Sequence, residues 1–242
     1  MIRYVLFLLC FFLSAQASLE KREIPLSLSV SLIVPCHSRH LDLLKSLLFY
    51  YERASSSRPD EVVVSLSGVA LIDPLIIKKI ESYPWRFALK ILQHKEELSA
   101  AENRNCAANA SRGDLLICQD ADDLPHRQRI QIIKQLFETY QIDLLLHRFS
   151  FDEAPSQIRF DQAAQQTERI KSLDHVEYLA QGVPAFTREV FQRIQWERRD
   201  SGDEDCLFNY TAFDLFKNTV FCSVPLYFYR PQLSARRLND VE

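Results

Sequence analysis

Leu115-Leu116-Ile117-Cys118-Gln119-Asp120-Ala121-Asp122-Asp123 runs without a break from an apolar strand into three carboxylates. Gly113-Asp114 turns the chain into this strand, and Pro125 follows it. Upstream, similar apolar runs alternate with helical patterns. Ser27 to Pro35 (SLSVSLIVP) reads as a buried strand ended by proline, and Leu41 to Arg53 places Leu44, Leu47, Leu48 and Tyr51 at helical spacing. Glu61 to Leu66 is a second strand, after the loop Ser55-Ser56-Ser57-Arg58-Pro59. Asp73-Pro74 is an N-cap and first-turn signal for a helix through Ile80. Phe87 to Leu92 is a third strand, and the alanine-rich Glu97 to Ser111 a helix. Strand and helix in this alternation predict an α/β fold with a mostly parallel central sheet flanked by helices.

In such sheets ligands sit outside the carboxyl ends of the strands. Chemistry is therefore expected at Cys36 to Arg39, at Ser65 to Gly68, and at Asp120 to Asp123. Beyond Pro125 a helix continues to Tyr140, and Ile142 to Phe151 is a further strand. Residues 152 to 172, polar and Gln-rich, read as a loop or short insertion. Val183 to Phe191 and Val220 to Tyr229 read as later strands, with a helix near Leu207 to Phe216 between them.

Of the 242 residues, 47% are hydrophobic and 25% charged, which fits a folded globular chain. A net charge of −3 argues against a non-specific nucleic-acid binder, and no nucleic-acid partner is expected. Only four glycines occur (Gly68, Gly113, Gly182, Gly202), none closer than twenty residues to another. This spacing excludes glycine-rich phosphate loops and the G-x-S-x-G elbow together.

Met1-Ile2-Arg3, the apolar run Tyr4 to Leu13 and Ser14-Ala15-Gln16-Ala17 have the three parts of a signal peptide. Ten apolar residues are short for a membrane span, so a cleaved signal is favoured over a short anchor flanked by Lys21 and Arg22. The expected organisation is residues 1–17 signal or anchor, 18–25 linker, 26–235 a single domain and 236–242 a tail. The expected location is the secretory pathway, or a membrane reached through the N-terminus. Cys10 would leave with the signal; Cys36, Cys106, Cys118, Cys206 and Cys222 contain no C-x-x-C pair and do not form an even framework. Cys118, inside its apolar run, reads as a small buried hydrophobe.

Carboxylates about 4 Å apart repel by roughly 1 kcal/mol in water and about 4 at an effective dielectric of 20. The acidic cluster therefore calls for a cation or basic neighbours, and oxygen ligands favour a hard ion, Mn²⁺ or Mg²⁺. The other reading is an acidic turn whose last aspartates cap the helix beginning near Pro125, with Asp123 as the capping residue.

Taken with Glu102-Asn103-Arg104-Asn105, Ala108 and Ser111-Arg112-Gly113-Asp114, this stretch resembles the A-R-N-x-G…A-x-G-[DE]…D-A-D-D signature of family 2 glycosyltransferases. The strand SLIVPCHSR is similar to that family's first strand, and Gly202-Asp203-Glu204-Asp205 to its late E-D motif. The resemblance covers about Ser27 to Tyr229. It implies a GT-A fold and an inverting transferase that moves a sugar from a UDP- or GDP-linked donor to a glycan, lipid or protein acceptor. By position it implies a donor site at Pro35, His37, Ser65, Ser67, Arg104 and Asp120. Asp122, with Asp120, would hold the metal, and Asp205 would be the general base.

Two departures stand out. The family commonly carries D-D-G-S after its second strand, where an aspartate reads the nucleobase; this chain has Leu66-Ser67-Gly68, preceded by Ser65. The usual tyrosine and asparagine after the first strand are replaced by His37 and Ser38. His126 reads either as a phosphate neighbour or as a helix-surface residue, and His37 with His40 lacks the third ligand a zinc site needs. A nucleotidyltransferase is disfavoured because Pro35-Cys36-His37-Ser38-Arg39 contains no glycine. A non-catalytic GT-A-like module that binds a glycan or partner is the alternative, and metal-dependent nucleotide binding discriminates the two.

Overall fold

Val30–His37 (β1) is the buried centre of the first half of the sheet, pairing in parallel with Glu61–Ser67 (β2) on one side and Leu115–Cys118 (β4) on the other. Ala88–Gln93 (β3) adds in parallel to β2. The computed structural model describes residues 19–23, 27–151, 157–172, 183–199 and 201–233. The signal segment 1–17 and the tail 236–242 lie outside the described residues. No helix among the described residues is long and apolar enough to cross a membrane.

The strands Leu124–Pro125 (β5), Leu144–Ser150 (β6), Thr167–Arg169 (β7), Ala185–Thr187 (β8) and Thr219–Phe228 (β9) complete a sheet of order β3-β2-β1-β4-β8-β6-β9-β5, with β7 beside β9. The long pairings, including β6 with β9, are parallel; the antiparallel ones all involve the short strands β5, β7 and β8. Strand alternation divides the core into two layers. Leu32 and Val34 face Leu41–Arg53 (α1) and Arg129–Thr139 (α4), meeting Leu44, Leu48, Ile133 and Phe137. Ile33, Leu116 and Cys118 face Ala100–Ala110 (α3) and Glu204–Leu215 (α7), meeting Ala107, Ala108, Phe208 and Ala212. Burial pushes the Cys118 thiol up to about 12, as expected of an inert core residue, and the five cysteines of the described chain are all free.

Local signals explain the early helices. Asp73 accepts from the Leu75 N–H at the start of Pro74–Glu81 (α2). α3 opens with a capping box, in which Ser99 and Glu102 satisfy each other's backbone N–H groups. Two later expectations are corrected. Within 152–172, read as a loop or short insertion, the loop alternative does not hold: Phe160–Gln165 (α5) forms a helix and β7 pairs with β9. Val183 to Phe191 is not one strand: β8 holds three residues, and Arg188–Arg193 (α6) turns helical. The turn is pinned by Arg188, whose Nε donates to Gly113 O at 2.8 Å and whose guanidinium reaches Ser111 Oγ at 3.0 Å. Residues 19–23, expected to be part of a linker, lie along the end of α4, where Arg22 N donates to Thr139 O at 2.9 Å.

Gly113 makes the approach to β4 possible. A Cβ there would lie 2.5 Å from Ser31 Oγ, 2.7 Å from Ser31 N and 3.0 Å from Ser29 O. Two of the three obstacles are backbone atoms that cannot step aside. Gly113→Ala is therefore expected to cost about 1–3 kcal/mol, a fall of roughly 3–10 °C in Tm by calorimetry. An unchanged Tm would show that the β1–β4 edge yields.

Candidate active site

The carboxyl ends of β1 and β4 open into a cleft of about 760 Å³. Its floor is the turn Asp120 to Asp123, and the walls come from the start of α3, the start of α7 and the ends of β6 and β9. Of the residues expected at the site, Pro35, His37, Arg104, Asp120, Asp122 and Asp205 all line this cleft.

Below the floor lies a buried polar network. Gln119 Nε2 donates to the Asp120 carbonyl at 2.9 Å and the Asp123 carbonyl at 3.3 Å, holding both ends of the acidic turn. Gln119 Oε1 accepts from Tyr51 Oη and from an Arg129 amino group, each at 3.2 Å. Arg129 is fully buried and also donates to the carbonyls of Cys118 and Val183 and to His147 Nε2. Burial and the Arg129 charge push His147 down to about 3, so its ring is neutral; Nε2 accepts and the proton sits on Nδ1, facing the Arg148 carbonyl at 3.1 Å.

The three carboxylates play different parts. Asp123 does not cap a helix: α4 begins at Arg129, and Asp123 instead accepts from the Tyr227 hydroxyl and from Arg230 N at 2.6 Å. This corrects the capping expectation, because the β5 turn separates Asp123 from the helix. Burial pushes Asp123 up to about 6, against the pull of those two bonds. Asp122 is pushed up to about 7, first by burial and then by the charges of Asp120 and Asp123. Arg230 Nε donates to its backbone carbonyl at 2.7 Å and its charge pulls the other way, while His40 Nδ1 stands 3.9 Å from the carboxylate, its own pKa lowered by burial and by His37 and Arg39. Asp120 is paired instead: its Oδ1 accepts from Arg104 at 3.1 Å.

Arg104 is not a surface helix residue. It is buried, and its other amino group donates to Asp205 Oδ1 at 2.8 Å. One planar guanidinium thus ties the floor of the cleft to the first turn of α7. Asp205 there lies at a helix N-terminus, where a carboxylate is favoured. Its neighbours are placed differently: Glu204 is buried, while Asp203 is half-exposed and bonded to Arg199 Nε at 2.8 Å and to the Ser201 hydroxyl.

Ser65 and Ser67 lie one layer away from the cleft, fully buried. Ser65 Oγ donates to Asn103 Oδ1 at 2.8 Å, and Ser67 Oγ accepts from Asn103 Nδ2 at 3.0 Å. The side chain that reaches the lining is Asn103, so the serines act as its brace. His126 is buried, not on a helix surface, and does not line the cleft. Asn103, His40, Gln119 and Arg129 were missed from sequence. Asn103 had a signal, since it directly precedes Arg104 on the same helix.

Asp120 and Asp122 offer only oxygen ligands in a crowded, partly desolvated turn, a donor set that fits a hard divalent cation. No cluster of three His, Cys, Asp or Glu that would cage an ion exists among the described residues. Two carboxylates suit an ion that arrives with phosphate oxygens of its own.

Solved structures share this architecture. TarS residues 1–349 from S. aureus, solved with UDP-GlcNAc, superposes with a TM-score of 0.66 at 17% identity, over 83% of this chain and 58% of that one. The mannosyltransferase PcManGT from Pyrobaculum calidifontis, solved with GDP-Man and Mn²⁺, gives 0.58 at 18% identity over 93% and 62%. Glucosyl-3-phosphoglycerate synthase from Mycobacterium tuberculosis gives 0.62 at 14% identity over 88% and 75%. The chain spans about 60% of the length of TarS 1–349. At these identities the likeness is one of fold, and the fold is GT-A. No curated protein sequence matches the chain. The model described as Glycosyl transferase family 2 matches residues 31–195, well over half the chain, and the chain belongs to that family.

Proposed function

We propose that this chain transfers a sugar from a nucleotide-sugar donor to an acceptor hydroxyl with inversion, using Asp120, Asp122, Arg104 and Asp205. The observation that carries the reading is the Arg104 bridge. It fixes a carboxylate turn suited to a metal–diphosphate and a second carboxylate, Asp205, as floor and wall of one cleft.

Asp122, with Asp120, would hold Mn²⁺ or Mg²⁺, which supplies positive charge for the donor diphosphate when bound. The chain's own residues do the rest. Arg104 orients Asp205, and Asp205 accepts the proton of the acceptor hydroxyl as its oxygen attacks the anomeric carbon. The new C–O bond forms as the bond from that carbon to the phosphate oxygen breaks, and the electron pair leaves with the nucleoside diphosphate. Gln119 and Arg129, packed beneath the floor, hold the acidic turn in place. UDP and GDP remain alternative donor nucleotides. With the serines turned to Asn103, that side chain is the group at hand for contacts on the β2 side of the cleft.

Calorimetric titration of UDP and GDP, each with Mn²⁺ and with EDTA, tests this reading. One nucleotide is expected to bind at least about tenfold more tightly with Mn²⁺, or about 1.4 kcal/mol. Asp122→Asn is expected to erase that difference. Equal binding with and without metal would favour the non-catalytic module instead.

A further inference from the structure

Three aromatic rings stand at one rim of the cleft, and nothing in the transfer step uses them. Phe149 lies near the end of β6, Phe151 directly after it, and Tyr229 directly after β9. Phe149 and Phe151 are two residues apart and so share a face, and Tyr229 N donates to Ser150 O at 3.0 Å, which brings the third ring alongside. The centroids lie 5.4 Å (Phe149–Phe151), 5.8 Å (Phe149–Tyr229) and 6.0 Å (Phe151–Tyr229) apart, at interplanar angles of 87°, 72° and 61°. Phe149 and Tyr229 line the same cleft as Asp205, while Phe151 is 68% exposed at its mouth. What is informative is not one exposed ring but three in contact, a contiguous apolar patch of the kind that marks a ligand groove.

We infer that these rings form the acceptor subsite and that its occupant is a sugar ring. The inference rests on the transferase reading and names the acceptor class for it. A pyranose presents a face of C–H groups that suits the negative face of an aromatic ring, and hydroxyls around its edge that need polar partners. The steep angles between the three rings make a corner. One ring offers its face while its neighbour closes an edge. A lipid tail would need an apolar strip running on from the cleft. Among the described residues the other large exposed hydrophobics are Leu75 and Ile76 on α2 and Leu215 at the far end of α7. The α2 pair follows β2, at the opposite side of the sheet from β6 and β9, so among the described residues no apolar strip runs on from the corner.

Saturation-transfer-difference NMR on the full chain, saturated with Mn²⁺ and its preferred nucleotide, tests the assignment. The probes are the methyl glycosides of glucose, galactose, mannose and N-acetylglucosamine, with geranyl phosphate as the lipid probe. At least one glycoside is expected to receive saturation on its ring protons. That signal should fall roughly fivefold or more in Phe151→Ala, on the scale of one lost stacking contact, and return in Phe151→Trp. Nucleotide affinity measured on the same samples reports that each variant is folded. No glycoside signal with nucleotide bound, a signal indifferent to Phe151→Ala, or a Phe151-dependent signal on geranyl phosphate in its place would each overturn the subsite and leave the transfer reading standing. Failure of the wild-type chain to bind either nucleotide would overturn both.

Discussion

Asp205→Asn is expected to lower the turnover of sugar transfer by about 10²–10⁴-fold, the usual contribution of a general base. Nucleotide affinity should stay within about threefold, since 0.7 kcal/mol is a small change for a group that does not touch the diphosphate. The substitution keeps the shape and an oxygen to accept from Arg104, but it removes the capacity to take a proton. Arg104 retains Asp120 as a charged partner, so the buried guanidinium is not stranded. Two neighbours serve as controls. Asp203, held by Arg199 and Ser201 at the exposed rim, should tolerate Asn with less than about a tenfold loss, as expected for a surface pair. Glu204 is buried in the first turn of α7, so Glu204→Gln would lower stability before it altered chemistry. Steady-state kinetics with saturating donor, alongside nucleotide titration, checks all three. Wild-type turnover in Asp205→Asn together with a dead Asp203→Asn would move the base along the turn.

The first half of the fold was readable because its signals are local. β1 to β4 are short apolar runs, α1 shows its stripe, α2 announces itself with Asp73-Pro74 and α3 with its alanine-rich run. Even there the edges moved: β1 starts at Val30, not Ser27, because Ser29 is tied sideways to the Asp114 carboxylate. The second half depends on distant partners. α5 and α6 have six residues each, too few for a helical period to declare itself, and β8 owes its place to antiparallel pairing with both β4 and β6. The site divides the same way. Asp120, Asp122, Arg104 and Asp205 followed from motif order, and they do meet in one cleft. That Ser65 and Ser67 turn to Asn103, and that Asp123 turns to Tyr227, depends on contacts up to 104 residues apart, which no local pattern records.

Arg129→Met is expected to be the most destabilising of these changes. Arg129 is fully buried, and among the described residues it has no carboxylate partner. Its charge is met by carbonyls of Cys118 and Val183, the amide oxygen of Gln119 and a neutral His147. Methionine fills similar space but leaves those acceptors without donors, and each buried orphan costs about 1–3 kcal/mol. Relaxation will recover part of this, so a loss of about 3–5 kcal/mol is expected, or roughly 10 °C or more in Tm for a chain of this size. Lysine cannot substitute well, because one ammonium cannot span four acceptors that a planar fork reaches, so Arg129→Lys should fall between the two. The same change should loosen the donor site, because Gln119 loses one of the two donors that aim its amide at the Asp120 and Asp123 carbonyls. Leu136→Ala, two turns along α4 and equally buried, supplies the comparison: it should cost a similar amount of stability by opening a cavity. If Arg129 positions the acidic turn, Mn²⁺-dependent nucleotide affinity measured well below each Tm should drop in Arg129→Met and hold in Leu136→Ala. Equal affinities in the two variants would reduce Arg129 to a packing residue, and a Tm within a degree of wild type would show that the buried guanidinium is dispensable.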